Sequence, residues 1–190
     1  QRSRADCRTA RSEPMAYLTQ QARAADLVVV SRYDEETNED WCSSIEPGEL
    51  ILRIGRPVLV APPHVDNLNP RRIVVAWKDT REARRAVWDG LPFLKAADEV
   101  FVITVGVNTE LSGTRDIVEH LAQHGVVATM FSEPVSHAGV ATQILAVAKR
   151  EDADLIIAGA YGHSRMREMM FGSVTRKLLE DAPICCPMSH

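Results

Sequence analysis

Gly159, Gly162 and the pair Gly172-Ser173 are the residues of this chain whose type and spacing could do chemistry. A phosphate is held most closely by several backbone N–H groups at once. A β-carbon at such a place blocks the approach or forbids the left-handed backbone it needs. The first two glycines stand three apart, directly after the apolar run Leu155-Ile-Ile-Ala158, and nine residues separate Gly162 from Gly172. A helix opening at Ser173-Val174-Thr175 would turn its free N–H groups and the positive end of its dipole toward the same place. Ser173 and Thr175 can add hydroxyl donors, each hydrogen bond to a charged oxygen contributing about 1.5–3 kcal/mol. This is the chemistry of anion binding. No nucleophile with a histidine and carboxylate set emerges, since Ser164 beside His163 is a neighbour pair rather than triad geometry.

The elements that must position these residues are legible from residue 72 onward. Runs at 73–77, 100–105, 126–131, 155–158 and 184–186 are short and rich in Val and Ile, as strands are. Helical patterns lie between them. The first is capped by Asp79 or Thr80, places Ala83, Ala86, Val87, Leu91 and Leu94 at three-four spacing, and is expected to bend near Gly90 and Pro92. Others cover 114–124, 138–150 and 173–180. Strands alternating with helices require crossovers, so the sheet should be mostly parallel and covered on both faces. The glycines then lie at a strand's carboxyl end, where open α/β sheets bind ligands.

The first 63 residues echo part of this unit. Ala25-Asp26-Leu-Val-Val-Val-Ser31 resembles Ala153-Asp154-Leu-Ile-Ile-Ala-Gly159, and residues 49–63 resemble 175–189. Asp26 to Pro57 is 31 residues, and Asp154 to Pro183 is 29. Self-similarity of this kind implies duplication. The expected organisation is a partial, degenerate copy at 1–63, a linker at 64–71 and a complete α/β domain at 72–190. In the first copy Ser31 and Asp34 stand at the places of the first two glycines, and Glu46-Pro47 replaces Gly-Ser. Carboxylates repel phosphate and proline lacks the N–H, so this half should not bind one.

The pattern G-x2-G-x9-G-S resembles the ATP-binding motif of the universal stress protein family. The resemblance covers 72–190 and, in degenerate form, about 14–63. It implies a five-stranded parallel, Rossmann-like domain of the adenine nucleotide alpha hydrolase-like type, with ATP, and Mg²⁺ beside it, between the first strand's end and the glycine loop. The residues it implies there are Lys78, Asp79, Val105, Gly159, Gly162, His163, Arg165, Gly172, Ser173, Val174 and Thr175. Lys78 departs from the family, because an Asp is usual at that place and Asp79 comes one step later. A lysine can reach phosphate as a point charge, or stand in solvent. Val105 either lines the base pocket or belongs to the core, and His163, Arg165 and Arg167 either approach phosphate or form a solvated basic loop. In the family, final strands pair across a two-domain interface. Residues 57–61 should therefore pair with 183–188, within the chain or between two copies. Nothing ahead of Gln1 corresponds to residues 72–126, and the chain lacks an initiator methionine. The resemblance therefore implies part of a longer tandem protein.

Composition narrows the classes further. The chain has 190 residues, 45% hydrophobic and 25% charged, which is ordinary globular usage. Its 22 basic against 26 acidic residues leave a net charge of −4, which argues against a nucleic-acid partner. No apolar stretch is long enough for a membrane span and the arginine-rich start lacks a signal peptide's apolar core, so a cytoplasmic location is expected. Cys185 and Cys186 should be buried free thiols on opposite faces of a strand. His120 and His124, four apart, lack the companion Glu of a zinc site. Arg81, Arg84 and Arg85 beside Glu82 read as a helix's wet face. The expected function is an ATP-responsive stress protein, acting as a switch or scaffold rather than a fast enzyme. Alternatives are a nucleotide-free assembly module, or a slow ATPase or ATP-dependent transfer enzyme, although a Ser-Gly-Gly pyrophosphatase loop is missing after the first strand.

Overall fold

The computed structural model describes residues 5–32, 45–63, 65–106, 113–162 and 173–190. Among the described residues seven strands form one sheet. In chain order the elements are α1 (Pro14–Gln21), β1 (Val28–Ser31), α2 (Pro47–Ile54), β2 (Val58–Ala61), β3 (Arg72–Ala76), α3 (Arg81–Ala96), β4 (Glu99–Val105), α4 (Thr114–Gln123), β5 (Ala128–Glu133), α5 (Val140–Arg150), β6 (Leu155–Gly159), α6 (Ser173–Asp181) and β7 (Cys186–Ser189). The spatial order is β1-β2-β7-β6-β3-β4-β5. Every pairing is parallel except β2 with β7, where Val58 faces Met188 and Val60 faces Cys186. The result is the α/β, mostly parallel architecture that the strand–helix alternation implied.

Alternation along each strand divides the interior in two. Val74, Ile156, Ala158, Cys186 and Met188 face the side that also holds Leu50, Ile51, Ile144 and Leu178 of α2, α5 and α6. Ile73, Val75, Leu155, Ile157 and Cys185 face Ala83, Ala86, Val87, Leu94 and Leu121 of α3 and α4. Side chains such as Ile73, Ile156 and Leu178 are at most 1% exposed, and burying each contributes about 1.5–3 kcal/mol. The adjacent cysteines do point to opposite faces.

Three local expectations shift. The strand expected at 126–131 begins at Ala128, because Gly125 (φ 81°) ends α4 and turns Val126 back so that its N–H donates to the Leu121 carbonyl at 2.9 Å. Helix α3 runs through Gly90 and Pro92 as one element to Ala96. Gly90 serves packing instead, since a β-carbon there would lie 2.7 Å from Ile157 Cδ1. The last strand runs later than 184–186, with Cys185 bridging Leu155 just ahead of β7.

The segment β1–α2–β2 has the same element order and parallel pairing as β6–α6–β7. Helices α1, ahead of this segment, and α2, within it, each open on a Glu-Pro pair. The Glu13 carboxylate accepts from Met15 N and Ala16 N at 2.9 and 2.6 Å, and Glu46 accepts from Gly48 N and Glu49 N at 3.0 and 2.5 Å. In the 65–72 stretch Asp154 Oδ2 accepts from Arg71 N and Arg72 N, at 2.8 and 2.9 Å, which aligns the start of β3. Among the described residues no helix is long and apolar enough to cross a membrane.

Candidate functional site

β3 and β6 are parallel neighbours with Ala76 beside Ala158, so their carboxyl ends open on one crevice. On the β3 side the chain leaves through Trp77, which is buried, and Lys78 and Asp79, which are exposed. Thr80 then caps α3, its hydroxyl accepting from Ala83 N at 3.3 Å. Arg84 donates to Asp79 Oδ1 from Nε and Nη2 at 3.1 and 2.6 Å. Glu82, in the first turn, is 4% exposed and pairs with the Arg81 guanidinium. Burial pushes its carboxyl up, but the Arg81 hydrogen bond and charge, its own N–H and the Thr80 hydroxyl outweigh that and hold it below the usual range. The wet-face reading therefore fails for Glu82 and holds for exposed Arg81, Arg84 and Arg85.

On the β6 side, Gly159 is a glycine because a helix rests on it. A β-carbon there would stand 2.6 Å from the Glu82 carbonyl carbon and 2.8 Å from Ala83 Cα, both backbone atoms. The sequence reading gave that space to a ligand, and the first turn of α3 takes it. Gly162 is nearly as confined, its absent β-carbon lying 3.1 Å from Thr80 Oγ1 and 3.2 Å from Glu82 Oε2. Between them Tyr161 adopts φ 60°, a left-handed conformation costing a non-glycine residue about 1–3 kcal/mol. Ala160 N donates to the Ser189 carbonyl at 2.8 Å, and Tyr161 N donates to Thr175 Oγ1 at 3.3 Å. The second bond ties the glycine loop to the first turn of α6, and Thr175 is 5% exposed.

The segment 134–187 matches the universal stress protein family. The likeness to that family rests on this segment, which is less than half of the chain. The matched stretch contains α5, β6, the glycine loop and α6, so it supplies one flank of the crevice, while β3 and the start of α3 lie outside it. The same fold appears in a universal stress protein from Archaeoglobus fulgidus DSM 4304, with TM-score 0.63 and 18% identity over 93% of this chain, which spans 64% of that protein's length. A universal stress protein from Lactobacillus plantarum aligns with 62% of this chain and 96% of its own at TM-score 0.51 and 17% identity. A protein of unknown function from Pseudomonas aeruginosa PAO1 aligns with 95% of this chain and 68% of its own at TM-score 0.63 and 15% identity. These are likenesses of fold. No curated protein matches significantly.

The expected site residues divide clearly. Lys78, Asp79, Gly159, Gly162, Val174 and Thr175 gather where β3, β6 and α6 converge, and Ser173 opens α6. Val105 ends β4, the strand next to β3, half-buried against the α5–α6 side of the core. His163, Arg165 and Gly172 lie outside the described residues. Thr80, Glu82 and Tyr161 join the site from positions that sequence reasoning did not assign to it.

Helix starts sort the possible anion sites. Glu46 closes the start of α2, and Thr80 and Glu82 crowd that of α3. Two loop amides are already committed to Ser189 and Thr175. α4 and α5 open on Gly113 and Gly139 without a side-chain cap, and α6 starts at Ser173 beside the loop that Tyr161 N ties to Thr175, the residues just ahead of it lying outside the described ones. Among the described residues no group of three His, Cys, Asp or Glu side chains forms a metal cluster.

Proposed function

We propose that residues 72–190 bind an adenine nucleotide in the crevice between the end of β3 and the glycine loop, and that residues 1–63, a degenerate copy joined by the 64–71 linker, scaffold that domain. The observation that carries this reading is the Tyr161 N–H to Thr175 Oγ1 bond of 3.3 Å, which draws the loop after β6 onto the first turn of α6. Phosphates belong on the N–H groups of residues 173–176, with Lys78 as a charge at the rim and Val105 toward the base. Bound Mg²⁺ supplies positive charge beside Glu82, whose carboxylate would otherwise repel a phosphate. Binding of the nucleotide changes the exposed surface that cytoplasmic partners read, so the protein works as a switch rather than a fast enzyme.

Calorimetric titration with ATP and Mg²⁺ tests the reading: the wild-type chain should bind one nucleotide and Gly172→Val should not. A steady-state turnover assay decides whether slow hydrolysis accompanies binding.

A second reading, a nucleotide-free assembly module, is favoured by a different observation. The antiparallel seam of β2 with β7 builds one seven-stranded sheet from the two segments through backbone pairing of Val58–Val60 with Cys186–Met188. Absence of binding in the same titration selects this reading.

A further inference from the structure

We propose that Tyr161 is a positioning residue through which helix α2 of the first segment sets the conformation of the glycine loop, and so the affinity of the site for nucleotide. The proposal rests on the nucleotide reading above for its effect on affinity, but the mechanical link stands on geometry alone.

Tyr161 belongs to the glycine loop through its backbone and to α2 through its side chain. Its N–H is the group that Thr175 Oγ1 accepts, so any rotation of its backbone moves the loop relative to α6. Its φ of 60° is one that a tyrosine holds only where the surroundings enforce it. The surroundings are at the other end of the side chain. The phenol oxygen lies so close over Gly48 that a β-carbon there would collide with it, and the Glu46 carboxylate oxygens flank the same point at 3.0 and 3.1 Å. Burial, and secondarily the Glu46 charge, hold the phenol protonated by pushing its pKa up. The ring also meets His190 edge-on at 6.3 Å between centroids, and His190 Nδ1 contacts the Ala160 carbonyl at 3.1 Å. The side chain is thus gripped by the start of α2 and by the end of the chain, and the grip holds a strained backbone next to the candidate phosphate site.

Gly48 is the point at which this grip can be tested without touching the site. It lies in the first turn of α2 and its φ is not left-handed, so alanine suits its backbone; the phenol is what the new methyl meets first, and the Glu46 carboxylate oxygens come next at 3.0 and 3.1 Å. Gly48→Ala should therefore push Tyr161 away and accelerate hydrogen exchange of the Tyr161 amide in the ligand-free protein. It should also weaken binding of ATP with Mg²⁺ about tenfold, a typical coupling between sites. In the Tyr161→Phe background, which keeps the ring and removes the colliding oxygen, Gly48→Ala should cause neither effect relative to Tyr161→Phe alone. Tyr161→Ala should reproduce the Gly48→Ala effect, and it decides the matter if Gly48→Ala does not fold.

Unchanged amide exchange in both Gly48→Ala and Tyr161→Ala would overturn the proposal. So would a Gly48→Ala defect that Tyr161→Phe fails to rescue. If the wild-type chain binds no nucleotide, the functional reading falls by itself, and the exchange measurement still decides whether α2 controls the loop.

Discussion

A carboxylate oxygen of Glu82 stands 3.2 Å from the place a β-carbon on Gly162 would occupy. A buried anion therefore borders the second glycine of the loop, on the side from which a phosphate would arrive. Arg81 compensates it within the protein, but a triphosphate brings further negative charge. Without Mg²⁺, Glu82→Gln should bind ATP more tightly than wild type, by about fivefold for relief of one like-charge contact. With saturating Mg²⁺ the difference should shrink. Paired titrations in EDTA and in Mg²⁺ measure both.

Glu82 also predicts an acid dependence of stability. Its carboxyl is held below its usual 4.5 in the folded chain. A depressed folded value gives stability that is present above the unfolded pKa and lost as pH falls through the folded one. Wild type should therefore lose stability below about pH 4.5 more steeply than Glu82→Gln, while at pH 7 the variant, lacking the paired charge, should be the less stable. Urea unfolding at a series of pH values reads both limbs.

The contact between Gly159 and α3 predicts an unequal response of two glycines. Gly159→Ala would force a methyl onto the backbone of Glu82 and Ala83, costing about 1–3 kcal/mol. Gly90→Ala meets the Ile157 side chain rather than backbone, Cδ1 first at 2.7 Å, and gains helix propensity of about 1 kcal/mol, so it should cost less than Gly159→Ala. Denaturant midpoints separate the two.

Burial raises the pKa of the Cys186 thiol to about 12 and raises that of Cys185 as well, so both remain protonated at neutral pH. Cys7 is exposed. Thiol labelling followed by peptide mapping should modify Cys7 in the folded protein, and Cys185 and Cys186 only after denaturant is added.

The strand–helix framework was legible because its signals are local. The run Leu155-Ile-Ile-Ala158 is β-rich and uninterrupted, and Ala83, Ala86, Val87, Leu91 and Leu94 keep helical spacing, so β6 and α3 needed no tertiary information. Val126 was misplaced in a strand because its apolar side chain is buried at the end of α4, and burial alone does not distinguish the two. Glu82 was misread because arginines surround it in sequence. Its helical position, four before Ala86 and eight before Gly90, places it on the sheet-facing stripe, and that spacing could have flagged it. Tyr161 was not foreseeable. Its contact with Gly48 exists only because β2 and β7 join antiparallel and bring distant segments together, and no local pattern encodes that seam.

Where an anion settles on the chain is read directly by a crystal structure with ATP and Mg²⁺. The predicted result has phosphate oxygens within hydrogen-bond distance of the N–H groups of residues 173–176, with Gly162 and Thr80 at the edge of the site. A crevice that stays free of nucleotide at saturating ATP, or a triphosphate seated on another helix start, would contradict it.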